Sequence, residues 1–269
     1  MPQSSDVTYL GRTNFRNRQR LFGIKREDRF SHVYIIGKTG TGKSTLMEGM
    51  ALQDLERGNG FALIDPHGDL VERVADRIAP IQNKVGAFLA DPLLNRILTA
   101  PQQDLRIRRM MDEGQVLLVN LAKGRIGEDS SSLLGGLLVT TIGLAGYSRA
   151  DIDPARRRDF FVYVDEFQSF TTLAVANMLS EMRKYRLGFT VAHQYLHQLE
   201  PDVRHAVLGN TGTIISFRVG AEDALYLSRE FTDVFDEIDL VQLPNHHIYL
   251  KLMIDGAPSM PFSAITLRP

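Results

Sequence analysis

Residues 32–50 read HVYIIGKTGTGKSTLMEGM, and this stretch decides how the rest of the chain is to be read. From Gly37 to Ser44 it fits G-x-x-x-x-G-K-[ST], it follows the buried-looking run VYII, and it opens a segment of helical period. The chemistry asks for these residue types. Gly37, Gly40 and Gly42 let the backbone curl until its N–H groups and the first turn of the following helix face a phosphate. Lys43 reaches the β- and γ-phosphates and Ser44 offers a hydroxyl to Mg²⁺. Gly37, Lys38, Thr39, Gly40, Thr41, Gly42, Lys43, Ser44 and Thr45 are therefore the expected nucleotide-binding loop, with ATP and Mg²⁺ as ligands.

A phosphate loop needs an acidic partner to hold the metal and orient water. The segment DFFVYVDEFQSF at 159–170 supplies an apolar strand that ends in Asp165 and Glu166. Successive strand residues point to opposite sides, so the two carboxylates divide the work. Asp165 is assigned to the Mg²⁺ shell and Glu166 to activation of the attacking water. Two more strands end at the same edge: FALIDPHGD in Asp65 and GFTVAHQ in Gln194. Ligands of parallel sheets bind outside the carboxyl ends of the strands, which brings both side chains near the nucleotide. Gln194 suits a sensor of γ-phosphate or water, with a structural amide cap as the alternative. Asp65 is open between the nucleotide site and an Asx-type turn that starts the next helix.

Outward from these motifs, short β-branched or aromatic runs alternate with amphipathic segments. Strands are predicted at about 32–37, 60–65, 115–121, 159–165, 188–193, 212–219, 247–254 and 261–267, with helices over 43–56, 69–78, 131–148 and 172–185. This is an α/β chain with a mostly parallel twisted sheet covered by helices on both faces, closed by an antiparallel C-terminal edge hairpin around DGAPSMP. Residues 1–31 read as a basic N-terminal arm on a core of 32–269, and 76–113 as a short helical segment. The loops AKGRIGEDSSS at 122–132 and RADIDPARRRD at 149–159 are expected to have no core duty.

The composition narrows the function classes. With 269 residues, 43% of them apolar, the chain can bury a large core. The longest apolar stretch, LLGGLLVTTIGLAG at 133–146, is shorter than a membrane span, so no transmembrane helix is expected. Cysteine is absent, which excludes disulfides and thiolate metal sites and fits a reducing cytoplasm. HQYLH places His193 and His197 four apart but lacks the glutamate of a zincin, so no metal site is expected there. The net charge of −1 conceals an uneven spread: 12–29 is rich in arginine and 222–239 is acidic. A head-to-tail partner, a local polyanion site or a plain solvated arm would each account for that.

Taken in order, IIGKTGTGKST, ALIDPHGD, FFVYVDEFQSF and RKYRLGFTVAHQ resemble the HerA–FtsK superfamily of ring-forming motor ATPases, nearest to the type IV secretion coupling ATPases of conjugative DNA transfer. The resemblance implies a RecA-like P-loop NTPase core and a homohexameric ring that moves DNA, or protein attached to DNA, without reading its sequence. It further implies a relaxase or secretion channel as partner, and Arg183 as the arginine that reaches the neighbouring subunit's nucleotide. Asn14, Arg16 and Phe22 would pack on base or ribose. The family usually carries membrane helices and a large all-helical insertion; neither is read here.

A translocase grips phosphate through Lys or Arg facing its pore. Lys123 and Arg125 are the candidates, with Arg156, Arg157 and Arg158 beside them, and each also reads as a solvated loop charge. Arg218, in an apolar strand, is expected to pair with a core carboxylate, or else to act on a neighbouring subunit. From other classes, a nucleotide-dependent docking module without translocation and a HerA-like DNA-processing translocase also fit. GTPases are disfavoured because NKVG at 83–86 lacks the aspartate that reads guanine.

Overall fold

The computed structural model describes residues 6–14, 19–82, 105–232 and 234–269. Its strands are β1 (Val7–Thr13), β2 (Leu21–Lys25), β3 (Val33–Ile36), β4 (Gly60–Asp65), β5 (Val116–Asn120), β6 (Phe160–Val164), β7 (Leu187–His193), β8 (Thr213–Ser216), β9 (His247–Lys251), β10 (Met253–Ile254), β11 (Ala257–Pro258) and β12 (Phe262–Thr266). The helices are α1 (Lys43–Glu56), α2 (Asp69–Gln82), α3 (Ile107–Glu113), α4 (Lys123–Ile126), α5 (Glu128–Ser148), α6 (Leu173–Met182), α7 (Pro201–Asn210), α8 (Ala221–Glu230) and α9 (Glu237–Gln242). Ten strands form one sheet in the order β2-β1-β12-β9-β8-β3-β7-β6-β4-β5, in which β8, β3, β7, β6, β4 and β5 run parallel.

The parallel strands are mostly apolar, and β3, β4, β6, β7 and β8 are buried on every residue, because both faces are covered. On β3, Val33 and Ile35 face α1 and α2, while Tyr34 and Ile36 join α3, α5, α6 and α7 on the other side. The same alternation repeats along β4 and β6, so the period-2 pattern sorts one strand into two cores. Close backbone approach fixes the start of β4: a Cβ on Gly60 would stand 2.7 Å from Gly114 Cα and 3.0 Å from the Phe160 ring. Gly60→Ala is expected to destabilise the protein by about 1–3 kcal/mol through that overpacking, read as a lower denaturant midpoint with an unchanged slope.

Several expectations change in the structure. The C-terminal strands β9 and β12 pair antiparallel as read, but they are not the edge, because β1 and β2 continue the sheet beyond β12. What looked like a basic arm thus supplies two strands, and three of its cations are neutralised internally. Arg26 pairs with Asp159, Lys25 with Asp255, and Arg29 is buried against Asp54 at 2.7 Å, with Tyr163 and Thr8 as further acceptors. The stretch 149–159 is not an idle loop either. Arg149 is fully buried and bonds Asp112 and the carbonyls of Tyr185 and Arg158. Stretch 122–132 forms α4 and the start of α5, where buried Ser131 caps the carbonyl of Leu121.

Helix α5 and the turn after it extend well past the apolar run, over Glu128–Asp151. Among the described residues this is the one helix long and apolar enough, by length and composition, to cross a membrane. Its inner face is core: Val139 and Ile142 are fully buried, and Gly143 lets Met178 pack against the helix backbone. Of the segment read as helical at 76–113, α2 runs to Gln82 and α3 begins at Ile107; residues 83–104, including NKVG, lie outside the described residues.

Candidate nucleotide site

The carboxyl ends of the parallel strands line up in sheet order: 217–220 after β8, the P-loop after β3, Gln194 after β7, Asp165 and Glu166 after β6, Asp65 at the end of β4, and Asn120 at the end of β5. Strand β3 sits where the chain reverses its direction of travel across the sheet, with β7 on one side and β8 on the other, the usual place for a ligand crevice. Gly40 and Gly42 have φ of 75° and 121°, which only glycine adopts freely, and a Cβ on Gly42 would strike His246 at 2.8 Å.

The loop is held from behind. Lys38 N donates to Arg218 O at 2.9 Å, His246 N donates to Thr41 O at 2.8 Å, and Thr41 Oγ1 donates to Lys38 O at 2.7 Å. Arg218 lies past the end of β8 and, among the described residues, pairs with no carboxylate; its guanidinium donates to Leu243 O and Asn245 Oδ1, tying together the two segments that brace the loop. That role corrects the expected ion pair. The cause is position: two residues beyond the strand, the side chain points along the loop and not into either core.

Inside the site, Lys43 Nζ donates to Gly37 O at 2.6 Å and Lys38 O at 3.3 Å. Burial pushes its pKa down, against the pull of Asp165 and Glu166. Ser44 Oγ donates to Asp165 Oδ2 at 3.0 Å, which joins the first helical turn to the end of β6. Burial raises the Asp165 pKa, helped by the charges of Glu166 and Asp65 and opposed by the Ser44 hydrogen bond. Glu166 has φ of 48° and receives Gln194 Nε2 on Oε1 at 2.7 Å and Gln168 Nε2 on Oε2 at 2.6 Å. Thr39 Oγ1 in turn donates to Gln194 Oε1 at 2.9 Å. Gln194 therefore bridges the P-loop and Glu166.

Of the two readings of Asp65, the turn is the one built. Its buried carboxylate accepts from the N–H groups of His67, Leu70 and Val71, capping α2. Asn14 accepts from Ser263, and Phe22 packs edge-to-face on Phe262; these contacts tie the N-terminal strands to β12, not to the P-loop. Arg16 lies outside the described residues. Lys123 donates to Glu128 and Ser169, and Arg125 pairs with Glu72. Arg157 and Arg158 donate to backbone carbonyls, whereas Arg156 is exposed. Gln168 and His246 escaped the sequence reading; only the two-residue spacing of Gln168 from Glu166 could have signalled it.

Arg183 is not in this site. Helix α6 stops at Met182, and Arg183 begins the turn before β7, at the opposite edge of the sheet. The 7 residues of β7 separate it from Gln194, about 20 Å at strand rise. The side chain is exposed, and among the described residues it makes no hydrogen bond or ion pair. Its charge is felt by Glu27, held below the usual carboxylate range first by Arg186, and by His32.

Two histidines are built neutral. His32 bonds the carbonyl of Leu179 through Nε2 and accepts from Phe189 N through Nδ1, and burial takes its pKa down to about 4. His193, at the end of β7 beside the P-loop, bonds Tyr34 and is lowered to about 3 by burial and Lys43. A folded pKa below the unfolded one means the unfolded chain binds more protons between the two values. Stability from these groups is therefore present above pH about 6.5 and falls as pH drops toward 4 and 3. At pH about 5.5 each should cost about 1.4 kcal/mol, measurable by denaturant unfolding, and His32→Gln should flatten that slope.

No family model matches the sequence, and no curated protein matches it. Solved structures do. The plasmid coupling protein TrwB in complex with ADP and Mg²⁺ superposes with a TM-score of 0.69 at 15% identity, over 92% of this chain and 88% of that one. VirB4 of Thermoanaerobacter pseudethanolicus gives 0.64 at 14% identity, over 99% and 98%. The genome packaging NTPase B204 from Sulfolobus turreted icosahedral virus 2, in complex with ATP-gammaS, gives 0.50 at 15% identity, over 88% and 98%. The chain has the RecA-like P-loop NTPase fold that these proteins share.

Proposed function

We propose that the protein is an ATP-hydrolysing motor of the HerA–FtsK kind that acts as a ring and translocates DNA or DNA-linked protein. The observation that carries this reading is the convergence of Lys43, Ser44, Asp165, Glu166, Gln194 and Thr39 at one sheet edge, joined by hydrogen bonds of 2.6–3.0 Å. It is supported by the likeness in fold to a coupling protein, a VirB4 and a packaging NTPase.

The residues fit Mg²⁺·ATP. Ser44 Oγ and Asp165 Oδ2 offer two facing hard oxygens, and the crowding of Asp165 by Glu166 and Asp65 is a charge imbalance that a divalent cation relieves. When bound, the metal neutralises charge on the β- and γ-phosphates. The P-loop N–H groups and the end of α1 cradle phosphate oxygens, and Lys43 exchanges the carbonyls of Gly37 and Lys38 for them. Glu166 takes a proton from water as its oxygen bonds the γ-phosphorus; the bond to the bridging oxygen breaks and that electron pair leaves with ADP. Gln194 reports whether the γ-phosphate is present. In a ring, Arg183 reaches across to the neighbour's phosphates, and Lys123 and Arg125 are the candidate DNA contacts.

The test is ATP turnover by the full chain with and without duplex DNA, over a range of protein concentrations. A ring motor should be stimulated by DNA, with turnover per subunit rising as subunits associate. Turnover indifferent to both would favour a docking module and overturn the translocase reading.

A further inference from the structure

Glu166 is restrained on both of its oxygens. Gln194 and Gln168 each donate an amide N–H, and the residue sits in a left-handed backbone conformation that non-glycine residues adopt at a cost. The two glutamines answer to different things. Gln194 leans on the P-loop through Thr39, so an arriving γ-phosphate competes directly for its amide. Gln168 lies in the helical turn Phe167–Ser169, its Nε2 donates to Glu166, and its Oε1 is buried with no hydrogen-bond partner among the described residues. Turning Gln194 toward phosphate therefore removes the amide from Oε1, which His67 Nε2 approaches at 3.8 Å, and leaves Oε2 bound to Gln168.

A carboxylate hydrogen-bonded by an amide is a poorer proton acceptor than a free one. The turn that carries Gln168 has its own outside contact. Lys123 Nζ donates to Ser169 Oγ at 3.3 Å and to the exposed Glu128 at 3.2 Å. The Lys123 backbone N–H donates to Pro66 O, which anchors the start of α4 on the β4–α2 turn. Lys123 is thus a cation in direct contact with the restrained turn, and its two side-chain partners are both weak competitors for it against a phosphate chain.

We propose that Gln168 is a latch on Glu166, and that a polyanion drawn to Lys123 loosens this latch through Ser169. The inference rests on the reading of Glu166 as the proton acceptor of an ATPase. Gln168 is a positioning residue in this scheme, because it touches Glu166 and not the reacting phosphate. The latch keeps hydrolysis slow until cargo is engaged, which couples fuel use to grip at the level of two adjacent side chains.

Two variants separate the latch from simple packing. Gln168→Ala removes the donor, and Gln168→Met removes it while keeping the volume. Both should raise turnover without DNA by about tenfold, leave affinity for a fluorescent ATP analogue unchanged, and shrink the stimulation by duplex DNA toward one. If both bind the analogue as the unaltered chain does and are no faster, the latch is wrong. If the unaltered chain neither binds the analogue nor hydrolyses ATP, the ATPase reading itself fails, and the latch falls with it. A readout without nucleotide tests the second half: amide exchange over residues 166–170 should speed up several-fold when duplex DNA is added, and this response should vanish in Lys123→Ala. Exchange that ignores DNA would overturn the link to Lys123.

Discussion

Arg183→Ala is expected to lower ATP turnover by about 10³- to 10⁵-fold while leaving ATP affinity close to unchanged, the effect of removing an arginine finger. That loss corresponds to about 4–7 kcal/mol of barrier, whereas an exposed helix-end charge acting only on its own fold is worth under about 1 kcal/mol. The gap decides between the two roles. Position makes the first one possible only between subunits: Arg183 stands at the far edge of the sheet from its own Lys43, its side chain exposed and without a hydrogen-bonding partner among the described residues. Mixing Lys43→Ala and Arg183→Ala chains provides the direct check. Each alone should be inactive, and the mixture should regain part of the activity at interfaces where an intact Lys43 meets an intact Arg183. No recovery under conditions where mixed rings demonstrably form would remove the role in trans.

The sheet was legible in the sequence because its signals are local and redundant. β6 is apolar on five successive residues and ends in two carboxylates, and the P-loop glycines leave few alternatives. Side-chain destinations were legible only where a backbone rule fixed them. Gln194 follows directly from a strand end, so it was found at the P-loop edge. Arg218 sits two residues past a strand end, and its partner, Asn245, is 27 residues away in sequence, beyond what periodicity can report. The N-terminal strands were missed for a related reason. β1 pairs with β12 at the other end of the chain, and a run with Lys25, Arg26 and Arg29 looks solvated until Asp255, Asp159 and Asp54 are seen to pair with them. The stretch 149–159 reads as an idle loop because nothing local announces that the carbonyls of Tyr185 and Arg158 converge on Arg149.

Glu166→Gln is expected to reduce turnover by about 10²- to 10⁴-fold with ATP still bound, since general base catalysis contributes on that scale. The substitution keeps the size of the side chain and one carbonyl oxygen that can still accept from Gln194 or Gln168, so the P-loop bridge through Thr39 has no steric reason to collapse. What it removes is the proton acceptor. Asp165 cannot take over, because its Oδ2 is committed to Ser44 and its Oδ1 accepts the backbone N–H of Glu166. A turnover near that of the unaltered chain would show that Glu166 is only a cap on the end of β6. The same variant also orders the two glutamate-directed effects. If Gln168 acts solely by restraining Glu166, then adding Gln168→Ala to Glu166→Gln should gain nothing, although it accelerates the unaltered chain about tenfold. A gain in the double variant equal to that in the single one would mean that Gln168 works through some other group.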